Sequence, residues 1–157
     1  MKEQQQTSIV LNFQEITDLD CLDTRFHGIR ELSLNHNRIC DLQNLAQFQD
    51  LECLAIASNH LHDIDEIRHI LKLASTLEEL YVAGNAICQH PDYRSLFIEG
   101  LPQLRILDGL PVTRKEKQSI VLARSLQSKI LPALETLQLA HFTIDSLLAS
   151  TQIQYEL

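Results

Sequence analysis

The sequence predicts a right-handed α/β solenoid, with a parallel sheet on the concave side, 3-10 or α-helical returns on the convex side, and a helical C-terminal extension. Three observations predict it. An eleven-residue pattern of aliphatics and asparagine recurs along the chain, the apolar spacing changes from two to about three after each asparagine, and a capping signature at Thr113 and Glu116 opens a long helical stripe. At 157 residues, 45% of them hydrophobic, the chain suits one compact repeat array and not two large domains.

The repeat sets the sheet. Ile29-Arg-Glu-Leu32-Ser-Leu34-Asn-His-Asn37-Arg-Ile39 is followed by Leu51-Glu-Cys-Leu54-Ala-Ile56-Ala-Ser-Asn59-His-Leu61, then by Leu77-Glu-Glu-Leu80-Tyr-Val82-Ala-Gly-Asn85-Ala-Ile87. Each fits LxxLxLxxNxL, and the asparagines lie 22 and 26 residues apart. In LxL the two aliphatics point inward and the residue between them points outward, so stacked copies build a parallel sheet with one buried side. The asparagine amide can bond backbone groups that the turn leaves unpaired, and stacking turns this into a ladder. Asn37, Asn59 and Asn85 are therefore read as structural.

Degenerate copies flank these three, as the open ends of a solenoid require. Ile9 to Leu19 keeps the aliphatic spacing with Gln14 in the asparagine slot; Leu101-Pro-Gln-Leu104-Arg-Ile106-Leu-Asp108-Gly109 starts a last repeat and turns away. Leu42, Leu45 and Phe48 recur every third residue, which suits a tight 3-10 return. Ile64, Ile67, Ile70, Leu71 and Leu73 fill the longer repeat and predict a fuller α-helical turn.

The segment that closes the array is the most specific one. His90-Pro-Asp-Tyr93-Arg94 leads into Leu101-Pro102-Gln-Leu104-Arg-Ile-Leu107-Asp108-Gly109, then Val112-Thr113-Arg-Lys-Glu116. This resembles the C-terminal cap of intracellular leucine-rich repeat proteins with short repeats: a Tyr-Arg pair on a helix, LPxLxxLDG, then Val-Thr and a charged helix start. The group includes a protein phosphatase-1 regulator, the spliceosomal A-prime protein and the leucine-rich light chain of axonemal outer-arm dynein. The resemblance covers residues 7 to 117 and departs at Gln14 and at Ala86, where the group often has proline.

Beyond the cap, Ile120, Leu122, Leu126, Ile130 and Leu131 precede Pro132, which is expected to break or restart the helix. Leu134, Leu137, His141, Ile144, Leu147 and Leu148 continue the stripe, with few charges between them. Two amphipathic helices are expected, burying Leu126, Ile130, Leu134, Leu137, Ile144 and Leu148 against the cap or against a partner. The expected domains are residues 1–112, repeats with cap, and 113–157, the amphipathic extension.

Charge and motif content exclude several functions. The formal net charge is −8, and its whole excess lies in residues 1–79, with six Lys/Arg against fourteen Asp/Glu. Direct nucleic-acid binding, which depends on displaced phosphate counterions, is not expected. No apolar run approaches the roughly 20 residues of a membrane-spanning helix, and the polar opening Met1 to Gln6 is unlike a signal peptide. Cys21, Cys40, Cys53 and Cys88 show no pairing or zinc-finger spacing, so reduced thiols and an intracellular chain are expected. His60 and His62 are read as turn residues. There is no GxSxG, P-loop, GxGxxG or HExxH; Asp18 with Asp20 and Asp63 with Asp65 read as exposed turns. No catalytic residue, cofactor or metal is expected.

The outward residues of the sheet form three predicted columns: Ser8, Glu31, Cys53, Glu79 and Gln103; Val10, Ser33, Ala55, Tyr81 and Arg105; Asn12, Asn35, Ala57, Ala83 and Leu107. Cys53, Ala55, Ala57 and Ala83 make a small, uncharged floor beside Tyr81, rimmed by Glu31, Glu52, Glu78 and Glu79. Such a floor admits another backbone closely, and an acidic rim orients a basic partner. The expected function is a noncatalytic adaptor or small subunit of a cytoplasmic, cytoskeletal (ciliary or centrosomal) assembly, holding a basic or amphipathic helix or loop of another protein. The alternatives that the resemblance implies are a nuclear ribonucleoprotein subunit that holds an RNA-binding protein, and a phosphatase-1 scaffold.

Overall fold

In the computed structural model, residues 7–20, 22, 28–73 and 75–154 are described, with the helical backbone alone given for 140–154. Cys21 and the side chains of His141, Ile144, Leu147 and Leu148 lie outside the described set.

Strands β1 (Ser8–Val10), β2 (Glu31–Ser33), β3 (Cys53–Ala55), β4 (Glu79–Tyr81), β5 (Ile106–Leu107) and β6 (Leu110–Pro111) form one sheet in chain order. The first four pairings are parallel; β5 and β6 form an antiparallel hairpin that ends the sheet. The register follows the repeat: Ile9, Leu32 and Leu54 align, then Leu54 with Leu80, and all four are buried. Behind them Leu34, Ile56 and Val82 are fully enclosed, as are Ile29, Leu51 and Leu77 one step earlier. The two-residue period thus delivers every repeat's aliphatics to one core.

The returns match their predicted tightness. Gln43–Gln47 is a 3-10 helix, with Leu42, Leu45 and Phe48 buried. The longer repeat makes a 3-10 turn at Ile64–Glu66 and then helix α1 (Ile67–Leu71), burying Ile67 and Ile70. A third 3-10 turn, Ala86–Gln89, precedes helix α2 (Tyr93–Gly100), which buries Phe97 and Ile98. Asp18, Asp41 and Asp63 each accept from the backbone N–H two residues on, the short-range bond that makes aspartate a turn former.

The asparagine ladder runs between repeats. Asn37 Oδ1 accepts from the N–H of Gln14 and Ile16, while its Nδ2 donates to Leu11 and Leu34 carbonyls. Asn59 Oδ1 accepts from Ile39 N–H and its Nδ2 reaches Leu34 and Ile56. Asn85 repeats this with Leu61, Ile56 and Val82. Each amide serves its own repeat and the one before it. In the first described repeat Gln14 stands in the asparagine slot, and its side-chain amide donates to the Asn12 carbonyl.

Helix α3 (Arg114–Gln154) corrects one expectation: it is a single helix, with Pro132 inside it. Proline removes one N–H donor and crowds the carbonyl four residues earlier, a local loss of about 3 kcal/mol. The flanking Leu, Ala, Gln and Glu are strong helix formers, and the helix continues through. The chain divides into two compact units, Met1–Lys117 and Gln118–Leu157, so the division falls one turn inside α3.

Candidate functional site

The concave face is built from residues that the strands turn away from the core. Its first column runs Ser8, Glu31, Cys53, Glu79 and Ile106, and its second Val10, Ser33, Ala55 and Tyr81, side by side on adjacent strands. Ala55 lies so low between Ser33 and Tyr81 that it is itself buried. Of the expected contact residues, Glu31, Ser33, Cys53, Ala55, Glu79 and Tyr81 are therefore brought together as the register predicts. Ala57 and Ala83 follow at the strand ends, half-buried and exposed respectively.

Asn35 is less free than expected. Asn12 Oδ1 accepts from Asn35 N–H at 2.7 Å and from the Ser33 hydroxyl at 2.9 Å, and Asn35 Oδ1 accepts from Ala57 N–H at 2.8 Å. These asparagines form a second ladder that caps strand ends on the concave side. At Ala57 the ladder has no side chain to offer. The next N–H, that of Ala83, is capped from the other direction: Asp108 Oδ1 accepts from both Val82 (2.7 Å) and Ala83 (2.8 Å). Sequence reasoning missed this role of Asp108; the signal was the break in the Asn12, Asn35, Ala57 column.

The last repeat is shifted from its predicted alignment. Ile106 pairs with Glu79 and Leu107 with Leu80, so Leu104 takes the place of Leu77 and Leu107 is buried in the core. Leu107 is therefore removed from the contact face. Arg105 leaves the Tyr81 column and joins the rim, its N–H donating to the Glu78 carbonyl and its Nη1 lying 3.0 Å from Glu78 Oε2. The physical reason is that Ile106 and Leu107 follow each other without a polar residue between them, and burial selects Leu107 over Ile106.

The rim is consequently only half acidic. Arg30 pairs with Glu52 at 2.6 Å and Arg105 with Glu78, leaving Glu31 and Glu79 without a cation among the described residues. Tyr81 Oη donates to Glu79 Oε2 at 3.2 Å, and burial followed by Glu79 raises its pKa. Between the two carboxylates sits Cys53, whose thiol is pushed up to about 11 by burial first, then by Glu79 and Glu31. A thiol so disfavoured as thiolate is a poor nucleophile at neutral pH.

At the cap, Arg94 Nε and Nη2 bind Glu116 at 2.7 and 3.1 Å, and Arg94 also donates to the carbonyls of Leu107 and Pro111. Thr113 Oγ1 accepts from Glu116 N–H at 3.1 Å, one half of the expected capping box. The other half is altered, because the Glu116 carboxylate is held chiefly by Arg94 and only secondarily by the Thr113 backbone. In α3, the described tail residues Leu126, Ile130, Leu134 and Leu137 are 49% to 66% exposed. A further feature missed in the sequence is a stack of Phe13 on His36, with ring centroids 4.5 Å apart, beside a cleft of about 410 Å³. Both residues hold positive φ one place before the asparagine slot, as do Ser58 and Gly84.

Comparison with known proteins accords with this architecture. A family model described as leucine-rich repeat matches residues 2–136. Leucine-rich repeat-containing protein 56 of Rattus norvegicus is 34% identical over 110 residues, covering 62% of this chain and 20% of that protein. The U2 small nuclear ribonucleoprotein A' of Eremothecium gossypii is 31% identical over 91 residues, covering 58% of this chain and 38% of that protein. The chain thus spans about a fifth of the length of the first relative and under two fifths of the second. Among solved structures, the Drosophila melanogaster SNF/U2A' complex gives a TM-score of 0.63 at 25% identity, covering 73% of this chain and 66% of that one. Solenoids of this kind use their concave surfaces for binding, and such families are typically noncatalytic interaction modules. With most of its length matched and its short repeats stacked in one parallel array, the chain belongs to the leucine-rich repeat family.

Proposed function

We propose that this chain is a noncatalytic adaptor or small subunit that docks a helix or loop of another protein on its concave face. The observation that carries the reading is the floor at Ser33, Ala55 and Ala57, a strip of small side chains lying between the carboxylates of Glu31 and Glu79, which have no ion-pair partner among the described residues, on one side and the exposed Ala83 on the other. A partner backbone can approach such a strip closely, and a lysine or arginine on it would meet two carboxylates whose charges no described cation offsets. Tyr81 supplies the large, two-torsion side chain that dominates many interfaces, and Arg105 contributes from the rim.

The setting proposed first is a cytoplasmic, cytoskeleton-associated assembly, supported by the likeness of the cap to that of the axonemal light-chain group. A second reading is a nuclear ribonucleoprotein subunit, favoured by the similarity to A' proteins and to the SNF/U2A' complex. Quantitative capture from cell extract with the wild-type chain, Ala55→Arg and Asp50→Arg tests both. A protein retained by the wild type and Asp50→Arg but lost with Ala55→Arg supports concave docking, and its identity selects the setting. Equal capture by all three moves the site elsewhere.

A further inference from the structure

Helix α3 carries a face whose spacing reads the same in both directions. Ile130, Leu134, Leu137, His141, Ile144 and Leu148 are separated by 4, 3, 4, 3 and 4 residues, the alternation that keeps one seam of a helix against a second helix. The backbone is helical without interruption from Arg114 to Gln154, so the six positions share one stripe. Of the six, Ile130, Leu134 and Leu137 have described side chains, and each is about half exposed or more. The midpoint of the run is residue 139, and each position has a mirror image: 130 with 148, 134 with 144, 137 with 141. A second helix of this same sequence laid antiparallel therefore meets aliphatic with aliphatic in the outer layers and Leu137 with His141 in the central pair. This is the self-complementarity that a two-fold interface demands.

Charge selects the direction. Along the helix that pairs about residue 139, positions 124–138 carry Arg124 and Lys129 against Glu135, whereas positions 140–154 carry Asp145 with no lysine or arginine. Parallel pairing would set basic against basic and acidic against acidic, and antiparallel pairing sets opposite halves together. We propose that the occupant of this face is a second copy of the chain, and that α3 forms an antiparallel pair centred on residue 139. The dimer does not depend on what the concave face binds.

Sedimentation equilibrium of the full chain tests the pairing. Twice the chain mass is expected, falling to one chain mass on combining Leu134→Asp with Leu137→Asp, both at exposed positions, with the repeat domain's thermal unfolding unchanged. A wild-type chain that stays monomeric at the highest concentration reached, or a dimer that survives the double substitution, overturns the proposal. Direction is read by mixing Leu134→Cys and Ile144→Cys chains under mild oxidation and mapping disulfides by peptide mass spectrometry. A link between 134 of one chain and 144 of the other is expected. Links only between like chains, or no link across the mixture, overturn the antiparallel arrangement.

Discussion

Arg94 grips Glu116 through two separate nitrogens, at 2.7 and 3.1 Å, across 22 residues of sequence. This fork ties α2 to the first turn of α3, and the same guanidinium reaches the Leu107 and Pro111 carbonyls, so one side chain organises the cap hairpin and the start of the extension. Both partners are about a quarter exposed, where a paired charge is worth more than at an open surface.

Replacing Glu116 with Gln should therefore lower the stability of the repeat domain by about 1 kcal/mol at pH 7. The Arg94 bond holds the Glu116 carboxyl below its usual 4.5, burial opposing. A depressed folded value means that the unfolded chain binds the proton first. The contribution is present above about pH 4.5 and disappears as pH falls through the folded value. Urea titrations of wild type and Glu116→Gln should converge below that pH; a gap that stays constant down to pH 3 would assign the loss to packing and not to the ion pair.

Asp108 makes a suppressor prediction possible. Its Oδ1 caps the strand end that Ala57 cannot reach, and its Oδ2 is buried without a partner. Asp108→Ala should cost about 1 to 3 kcal/mol by leaving Val82 and Ala83 N–H groups unpaired. Ala57→Asn restores the column begun by Asn12 and Asn35, and should be near neutral alone because Ala83 N–H is already served. In the Asp108→Ala background it should recover part of the loss. A double-mutant cycle measures the coupling; strict additivity would show that the ladder does not extend to the last repeat.

The solenoid was legible because its determinants are local and periodic: Leu32, Leu54 and Leu80 occupy the same slot, and a two-residue period gives their direction without knowledge of neighbours. The concave columns were legible for the same reason as far as Tyr81. They failed at Leu107, where adjacent Ile106 and Leu107 leave the inward residue undecided until β5 pairs with β4. The rim was misread because Arg30 and Arg105 lie 22 and 27 residues from the glutamates that they neutralise, and no period announces an ion pair. Pro132 does not end the helix, since one missing donor is small beside its 41 residues.

Asn59 is a sharp test of the buried ladder. It is enclosed, and it joins the second and third repeats through Ile39 N–H and the Leu34 and Ile56 carbonyls. Asn59→Ala orphans those groups and should cost about 1 to 3 kcal/mol, whereas Gln14→Ala, in the equivalent but exposed slot, should fall within about 0.5 kcal/mol of wild type. Denaturant midpoints compare the two directly. Equal effects would mean that the slot stabilises through local turn preference and not through bonds between repeats.

Cys53 provides a chemical readout of the concave face. Its thiol is raised to about 11, by burial most and by Glu79 and Glu31 next, so at pH 8 it should alkylate more slowly than the exposed Cys40. Peptide mass spectrometry after timed iodoacetamide treatment separates the sites. The Cys53 rate should keep climbing between pH 9 and 11, and Glu79→Gln should advance that rise only modestly, since burial is the larger cause. In the same window the folded chain keeps a proton that the unfolded chain releases, so stability should decline with rising pH, and Cys53→Ala should flatten that slope. A docked partner that covers the face should slow Cys53 while leaving Cys40 unchanged; equal protection of both thiols would place the partner away from the sheet.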